Sequence, residues 1–153
     1  MRAWFALVVC CACGRVNFDP LGGGDDQAGD GSTPSGSGET CAEPRAIGAG
    51  MLLPDESLAG AGNDITNGPC VDGIEVVYRL DVTESREYAV TILATFDGGL
   101  WMSMQCPSAG GACVPYTANM SRLLNPIVDA GSTWYIIVDK TAGAGTTFSL
   151  AVQ

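Results

Sequence analysis

The sequence predicts an all-β fold, an antiparallel β-sandwich of jelly-roll type held by two disulfides. Three observations lead to this prediction. Apolar residues recur at every second position through much of residues 76–152, turn signals rich in Gly, Pro, Asp and Ser separate these runs, and four cysteines are spread between residues 41 and 113. No run of ten or more residues in this part of the chain shows helical periodicity without Gly or Pro. Strands at such regular spacing are typical of sandwiches and jelly rolls.

The strands can be placed in order from this alternation. The clearest runs occupy residues 76–82, 88–96, 134–138 and 148–152, and shorter ones lie at residues 100–104 and 123–128. In each run one set of alternate positions is apolar, which predicts a strand with one face in the core. The part of the domain before residue 76 lacks such a pattern and is predicted to be irregular.

The four cysteines of this region predict a disulfide framework. Their even number suits an exported domain, in which thiols oxidise and stay paired. Four cysteines allow three pairings, and proximity in the sequence favours Cys41 with Cys70 and Cys106 with Cys113. A zinc site built from all four thiolates is the alternative, but the usual Cys-x-x-Cys spacing is absent among them.

The amino terminus predicts a lipoprotein signal at residues 1–12. Arg2 gives it a positive start, an apolar stretch follows, and a small residue precedes Cys13, the residue expected to carry the lipid. The run is too short to span a membrane, which takes about 20 apolar residues. Three alternatives stay open: an ordinary cleaved secretory signal, lipid attachment at Cys10 or Cys11, and a buried apolar strand of the domain.

Residues 13–40 are predicted to form a flexible tether between this anchor and the domain at residues 41–153. From residue 22 onward the tether is rich in Gly, Ser and Asp and has almost no apolar side chain to bury. The whole chain has a formal net charge of -10. This charge argues against nucleic acid as a partner and against adsorption to anionic lipid. Contact with the membrane is therefore expected through the lipid alone, at the cell envelope.

Several segments in their order resemble a known family. The most specific are Val76-Val-Tyr-Arg79, Phe96-Asp97, the cysteines Cys106 and Cys113, and Gly131-Ser-Thr-Trp-Tyr-Ile-Ile-Val-Asp139. Together they resemble the bacterial pre-peptidase carboxy-terminal domain and its relatives in surface lipoproteins of the myxobacterial type. The resemblance implies a jelly-roll-like β-sandwich of the kind found beside secreted proteases, with members that bind calcium, collagen or polysaccharide. Position 75 is Glu where the family more often has Asp.

No cofactor is expected from the sequence apart from calcium, which acidic side chains could bind. Asp97, Asp139, Asp72 and Glu75 are the carboxylates that could hold it through oxygen. The alternative for Asp97 is structural: Asp97-Gly98-Gly99 is predicted as a hairpin turn that Asp97 caps, with positive φ at both glycines.

Trp101 and Tyr135 are the candidates for stacking on sugar rings. Both lie on the opposite phase from the apolar set of their own strands, which predicts exposure. Aromatic residues on strands are also common cross-strand packing partners, so a core role is the alternative.

The sequence argues against an enzyme. It contains no histidine, which excludes the usual Ser-His-Asp and Cys-His catalytic sets and His-based zinc centres. We therefore expect a monomeric, non-catalytic surface lipoprotein whose sandwich binds polysaccharide or an extracellular protein. A structural envelope protein without a ligand and an accessory domain acting in trans with a secreted hydrolase are the alternatives.

Overall fold

The computed structural model describes residues 36–38, 40–63, 65, 68–70, 73–106 and 112–153. The predicted signal, Cys13, Asp72 and most of the tether lie outside these residues. Within them the chain forms strands and connections, and no helix long and apolar enough to cross a membrane is present in this described part. The strands are β1 (Arg45–Ile47), β2 (Leu52–Ser57), β3 (Ile74–Asp81), β4 (Arg86–Glu87), β5 (Val90–Ala94), β6 (Asp97–Ser103), β7 (Val114–Tyr116), β8 (Ser121–Leu124), β9 (Ile127–Val128), β10 (Thr133–Ala142) and β11 (Thr147–Val152).

The strands form a β-sandwich, as predicted. One sheet has five strands in the order β1-β3-β10-β6-β7, the other has four in the order β2-β11-β5-β8, and β4 and β9 form a small separate pair. Among the described strands all pairings are antiparallel except that of β1 with β3. The chain crosses repeatedly between the two sheets, for example from β2 to β3 and from β5 to β6, which is how a jelly roll is wound.

The main core fills the space between the two sheets. Val76, Tyr78 and Leu80 point inward from β3, and Phe148, Leu150 and Val152 do so from β11. All six are at most 3 % exposed. The alternation of period two therefore identified the inner faces of these strands correctly.

A second apolar cluster lies on the outer face of the five-stranded sheet. Val77, Trp101 and Ile137 come from the central strands β3, β6 and β10, and each is at most 1 % exposed. We call Ile65, Gly68 and Cys70, which close this face, the cover. Gly68 lies so close to Trp101 that a Cβ there would approach its ring to 2.9 Å. This sheet is thus buried on both sides at its centre.

The four body cysteines form two disulfides, but not with the partners that proximity in the sequence favours. The bridges are Cys41–Cys106 and Cys70–Cys113, which join residues 65 and 43 positions apart. The pairing of Cys41 with Cys70 and of Cys106 with Cys113 is therefore wrong.

The pairing of β6 with β7 explains why Cys106 and Cys113 do not meet. Leu100 lies opposite Val114, so Cys113 lies near the level of Trp101, whereas Cys106 follows beyond the end of β6. The two cysteines are close in sequence but displaced along the hairpin. Each instead reaches a residue of the amino-terminal part of the domain.

The predicted turn at Asp97-Gly98-Gly99 is also wrong, because these residues begin strand β6. The chain bends one step earlier, at Thr95 and Phe96. Neither glycine has a positive φ. Both positions need glycine because neighbouring atoms pack directly against the backbone. A Cβ on Gly98 would lie 1.8 Å from the carbonyl oxygen of Asp139, and one on Gly99 would lie 2.2 Å from Sγ of Cys70.

A polar group joins the two sheets at one edge of the sandwich. The carboxylate of Glu56 on β2 accepts hydrogen bonds from the Tyr78 hydroxyl, at 2.9 Å, and from the guanidinium of Arg45 on β1. Burial, reinforced by the negative charge of Glu56, raises the pKa of Tyr78 above the ordinary range, so this phenol stays a donor. The ion pair of Glu56 with Arg45 is half-buried and closes the inner core on this side.

Candidate functional site

Two of the four predicted calcium ligands are brought together in the middle of the five-stranded sheet. Glu75 on β3 lies directly opposite Asp139 on β10, and the two residues are 2 % and 6 % exposed. Side chains directly opposite on antiparallel strands have Cβ atoms about 4.5–5.5 Å apart. The carboxylate of Glu75 accepts a hydrogen bond of 2.6 Å from the backbone N–H of Ile65. One of the two acids thus helps to hold the cover in place.

The surroundings of this acidic pair are tightly closed. A Cβ on Gly73 would lie 2.4 Å from Oδ1 of Asp139, and the next strand contributes Gly99, opposite Asp139. The Cys70–Cys113 disulfide lies over Gly99. Glycines at these positions allow the chain and the disulfide to pack directly against the sheet. The pair is therefore buried beneath the cover and the Cys70–Cys113 disulfide, and it is not exposed on the surface.

Tyr116 on β7 forms the inner wall behind Asp139. Its hydroxyl donates a 2.8 Å hydrogen bond to the backbone carbonyl of Asp139, and its ring makes an edge contact with Phe96. Burial, together with the negative charge of Asp139, raises the pKa of Tyr116 above the ordinary range. The phenol accordingly remains protonated and serves as a fixed donor.

Asp97 has a different role from the other predicted ligands. Its carboxylate accepts a 2.8 Å hydrogen bond from the backbone N–H of Ala118, in the connection between β7 and β8. Asp97 therefore does cap a turn, but this turn belongs to the connection after β7.

The described carboxylates do not form a calcium site by themselves. No group of three or more His, Cys, Asp or Glu side chains placed to hold a metal occurs among the residues that the structure describes. Calcium takes about six to eight oxygen ligands, and the pair Glu75 and Asp139 supplies far fewer. Asp72, the remaining candidate, lies outside the described residues, so calcium binding stays a prediction.

Calcium binding has a direct test in thermal unfolding. If Asp139 and its neighbours hold calcium, millimolar calcium chloride raises the melting temperature of the oxidised chain, because a ligand bound only by the folded state stabilises it. Magnesium chloride at equal ionic strength is the control for salt effects. The Asp139→Asn variant should lose the calcium response. An unchanged melting temperature in the parent chain contradicts the calcium hypothesis.

The exposure that the sugar-stacking hypothesis requires of Trp101 and Tyr135 is not found for Trp101. Both side chains do lie on the outer face of the five-stranded sheet, as their phase indicates, but the cover and the disulfides close that face over Trp101, which is 1 % exposed. Trp101 cannot stack on a ligand, and this prediction is wrong. Tyr135 is half-buried at the margin of the same cluster; a stacking role for it stays a prediction.

The outer face of the four-stranded sheet is open, and sequence reasoning missed it. Leu52, Leu93 and Leu123 are 63 %, 48 % and 49 % exposed on β2, β5 and β8. One row crosses all four strands in register and runs Leu52, Ala151, Thr91, Leu123. On these four described strands the outward positions carry no charge apart from Asp55 at the margin. The available signal was leucine on the outward phase of two predicted strands.

A groove of about 220 Å³ lies on this face. Its floor includes Leu93 on β5 and Thr147 and Ser149 on β11. One wall is formed by Pro54 and Asp55 of β2, where the pairing with β11 shifts register between Phe148 and Leu150. Such a bulge bends a strand and redirects its side chains.

The opposite wall of the groove is Asn119, in the connection from β7 to β8. Asn119 has φ 62°, the one non-glycine residue with positive φ in the described part of the chain. Its backbone N–H donates a 2.7 Å hydrogen bond to the carbonyl of Ala94, which ties the turn to the edge of the sheet. Non-glycine residues in this conformation are uncommon and tend to lie at turns and functional sites.

Comparison with solved structures finds proteins of similar fold. The pre-peptidase C-terminal domain of a collagenase from Bacillus anthracis is similar, with a TM-score of 0.49 and 17 % sequence identity over 71 % of this chain and 92 % of that chain. No family model matches the chain, and neither does any curated protein. Membership in the family that the sequence resembles therefore stays a prediction.

Proposed function

We propose that this chain is an exported, non-catalytic binding module, anchored to the cell envelope by a lipid on Cys13, whose ligand is a polysaccharide or an extracellular protein. The observation that carries the proposal is the difference between the outer faces of the two sheets. One face is closed by the cover and fixed by two disulfides. The other displays exposed leucines and a groove. A rigid, one-sided sandwich is suited to presenting a surface to a ligand.

The disulfides support the exported location. Disulfides form and persist in oxidising compartments and are rare in the cytosol. In this fold the Cys70–Cys113 bridge holds the cover on the sheet and Cys41–Cys106 packs beside the same cluster, so we expect oxidation to stabilise the domain. The absence of histidine from the whole sequence supports a non-catalytic role.

The experiment that tests the proposal is a binding array. The oxidised full-length chain is applied to immobilised neutral and anionic polysaccharides, to extracellular matrix proteins and to secreted hydrolases, and we expect at least one reproducible ligand among the polysaccharides and matrix proteins. The reduced and alkylated chain is the control, because a folded binding surface should be lost with the disulfides. An array without any ligand contradicts the proposal and favours the structural envelope protein. Binding only to a secreted hydrolase supports the accessory alternative.

A further inference from the structure

We propose that the groove on the outer face of the four-stranded sheet binds a neutral pyranose unit of a polysaccharide. This inference rests on the proposed function and makes it specific, because it names the site and the class of ligand. It moves the site away from Trp101 and Tyr135 to the opposite side of the molecule. The residues that carry it are Asp55, Leu93, Asn119 and Ser149.

Two backbone irregularities shape the groove on this sheet. The bulge at Pro54 and Asp55 raises one wall, and the left-handed turn at Asn119 raises the other. Between them Thr95 and Thr147 lock the central strands together. The Thr95 hydroxyl donates to the Thr147 carbonyl at 2.9 Å and accepts from the Thr147 N–H at 3.2 Å. The groove is therefore built on a fixed floor, as ligand sites that are largely formed in advance are.

The side chains around this floor match a sugar chemically. In the described part of the chain the side chains of Asp55, Asn119 and Ser149 make no hydrogen bond or ion pair with another residue, and all three line the groove, with Asp55 and Asn119 exposed. A carboxylate accepts, an amide both donates and accepts, and a hydroxyl does both, which suits the vicinal hydroxyls of a pyranose. Leu93, 48 % exposed between them, offers an apolar contact for the C–H face of the ring.

Charge and size select a neutral sugar within a chain. Among the described residues that line the groove there is no Lys or Arg, and Asp55 gives the groove a negative charge that disfavours anionic polymers. The volume of about 220 Å³ is smaller than the roughly 300–1,000 Å³ of sites for drug-sized ligands, so the groove suits one ring of a longer polymer.

A second copy of this chain is a poorer occupant. The paired part of the sheet measures roughly 19 by 17 Å, from strand spacings of about 4.8 Å and rises of about 3.3 Å per residue. This flat area of about 320 Å² is well below the ~800 Å² of accessible surface per partner in a stable protein interface, so a dimer would have to extend beyond the paired sheet.

The test compares two leucines on the same face. Leu93 lines the groove and Leu123 does not, yet their exposures of 48 % and 49 % are nearly equal. Binding of the oxidised full-length chain to a soluble β-glucan, a mannan and a xylan is measured for the parent, Leu93→Ser, Leu123→Ser and Asn119→Gly. The last variant removes the amide and keeps a residue that accepts positive φ. We expect Leu93→Ser and Asn119→Gly to weaken binding about tenfold or more, since one lost contact of about 1.4 kcal/mol is tenfold in affinity. Leu123→Ser should change binding less than about twofold.

Each other outcome overturns the inference in a distinguishable way. Polysaccharide binding that Leu93→Ser and Asn119→Gly leave intact rules out the groove but leaves the proposed function standing. Binding of a matrix protein with no binding of the three neutral polymers rules out the sugar. Tighter binding of polygalacturonate than of the neutral polymers shows that the charge of Asp55 does not disfavour anionic polymers, and it contradicts a neutral sugar as the ligand. A dimer in sedimentation that both leucine variants dissociate identifies a second copy as the occupant.

Discussion

Replacing Cys70 and Cys113 by alanine should lower the free energy of unfolding of the oxidised chain by about 4 kcal/mol. This value is the loop-entropy estimate for 43 residues of separation, and measured losses for native disulfides of small domains are about 2–5 kcal/mol. The loss includes packing as well, because Cys70 is 8 % exposed and its sulfur lies against Gly99 in the cover. Urea unfolding followed by tyrosine and tryptophan fluorescence measures the change.

The matched control for this variant is the removal of the other bridge, Cys41–Cys106. On the same estimate its separation of 65 residues gives a similar value of about 4 kcal/mol, but its two cysteines are only half-buried. The two losses should therefore differ chiefly in packing. A loss below about 1 kcal/mol for the Cys70 and Cys113 variant would contradict a cover that depends on this disulfide.

Tryptic digestion without reduction checks the pairing itself. Cleavage after arginine places Cys41 in residues 16–45, Cys70 in residues 46–79, and both remaining cysteines in residues 87–122. The pairing in the structure joins these three peptides into one species, whereas pairing of sequence neighbours leaves residues 87–122 separate. Fragmentation between the two cysteines of that peptide identifies the partner of each. In material from the native host, a digest that begins at a lipid-bearing Cys13 would establish the anchor.

The strands that could be predicted are those in which alternate residues are apolar over at least five positions. The alternation in residues 76–82 and 134–138 fixed both the existence and the inner face of β3 and β10. Strands β2 and β7 were missed because neither shows a clear apolar alternation, and each contains a proline, Pro54 and Pro115, at an edge of its sheet. Proline signals a break in sequence, yet an edge strand tolerates it because its unpaired side needs no N–H.

The outcome at Gly98 and Gly99 shows a second limit of sequence reasoning. A Gly-Gly pair after Asp is typical of a turn, because glycine accepts positive φ. Here the same residues lie in a strand, where the absence of a Cβ admits a neighbouring strand and a disulfide. Both uses need glycine, and only the tertiary contacts distinguish them. The disulfide partners were missed for the same reason, since proximity in sequence favours short loops while the register of β6 and β7 separates Cys106 from Cys113.

The candidate site was missed because periodicity assigns a residue to a face without telling whether that face is covered. Trp101 and Leu93 both lie on outward phases of their strands. The cover closes over Trp101, whereas nothing in the described structure closes over Leu93, so the aromatic residue is buried and the leucine is exposed. The bulge at Pro54 and Asp55 and the turn at Asn119, which shape the groove, are likewise set by pairing between distant segments.

Trp101→Ala should be the most destabilising single substitution on the outer face of the five-stranded sheet, with a loss of about 3–5 kcal/mol in the free energy of unfolding. The indole is enclosed by Val77 and Ile137 beside it and by the cover above it, so truncation leaves a cavity that the stapled cover cannot collapse to fill. Urea unfolding of the oxidised chain measures the loss. Met104→Ala is the control, because Met104 follows the same strand but is 63 % exposed, and its change should stay within about 0.5 kcal/mol.

The same residue separates packing from ligand binding. Trp101→Phe keeps an aromatic ring and should retain most of the stability together with full affinity for whichever polymer the parent binds, because Trp101 has no exposed surface to offer a sugar. Loss of affinity in a stable Trp101→Phe variant would indicate that the ligand binds at the five-stranded sheet and would contradict binding in the groove. Combining Trp101→Ala with the loss of Cys70 and Cys113 gives a further check: neighbouring residues that share one cavity show non-additive losses. The combined loss should therefore be smaller than the sum of the two, since a cover no longer held by its disulfide can relax into the space that the indole leaves.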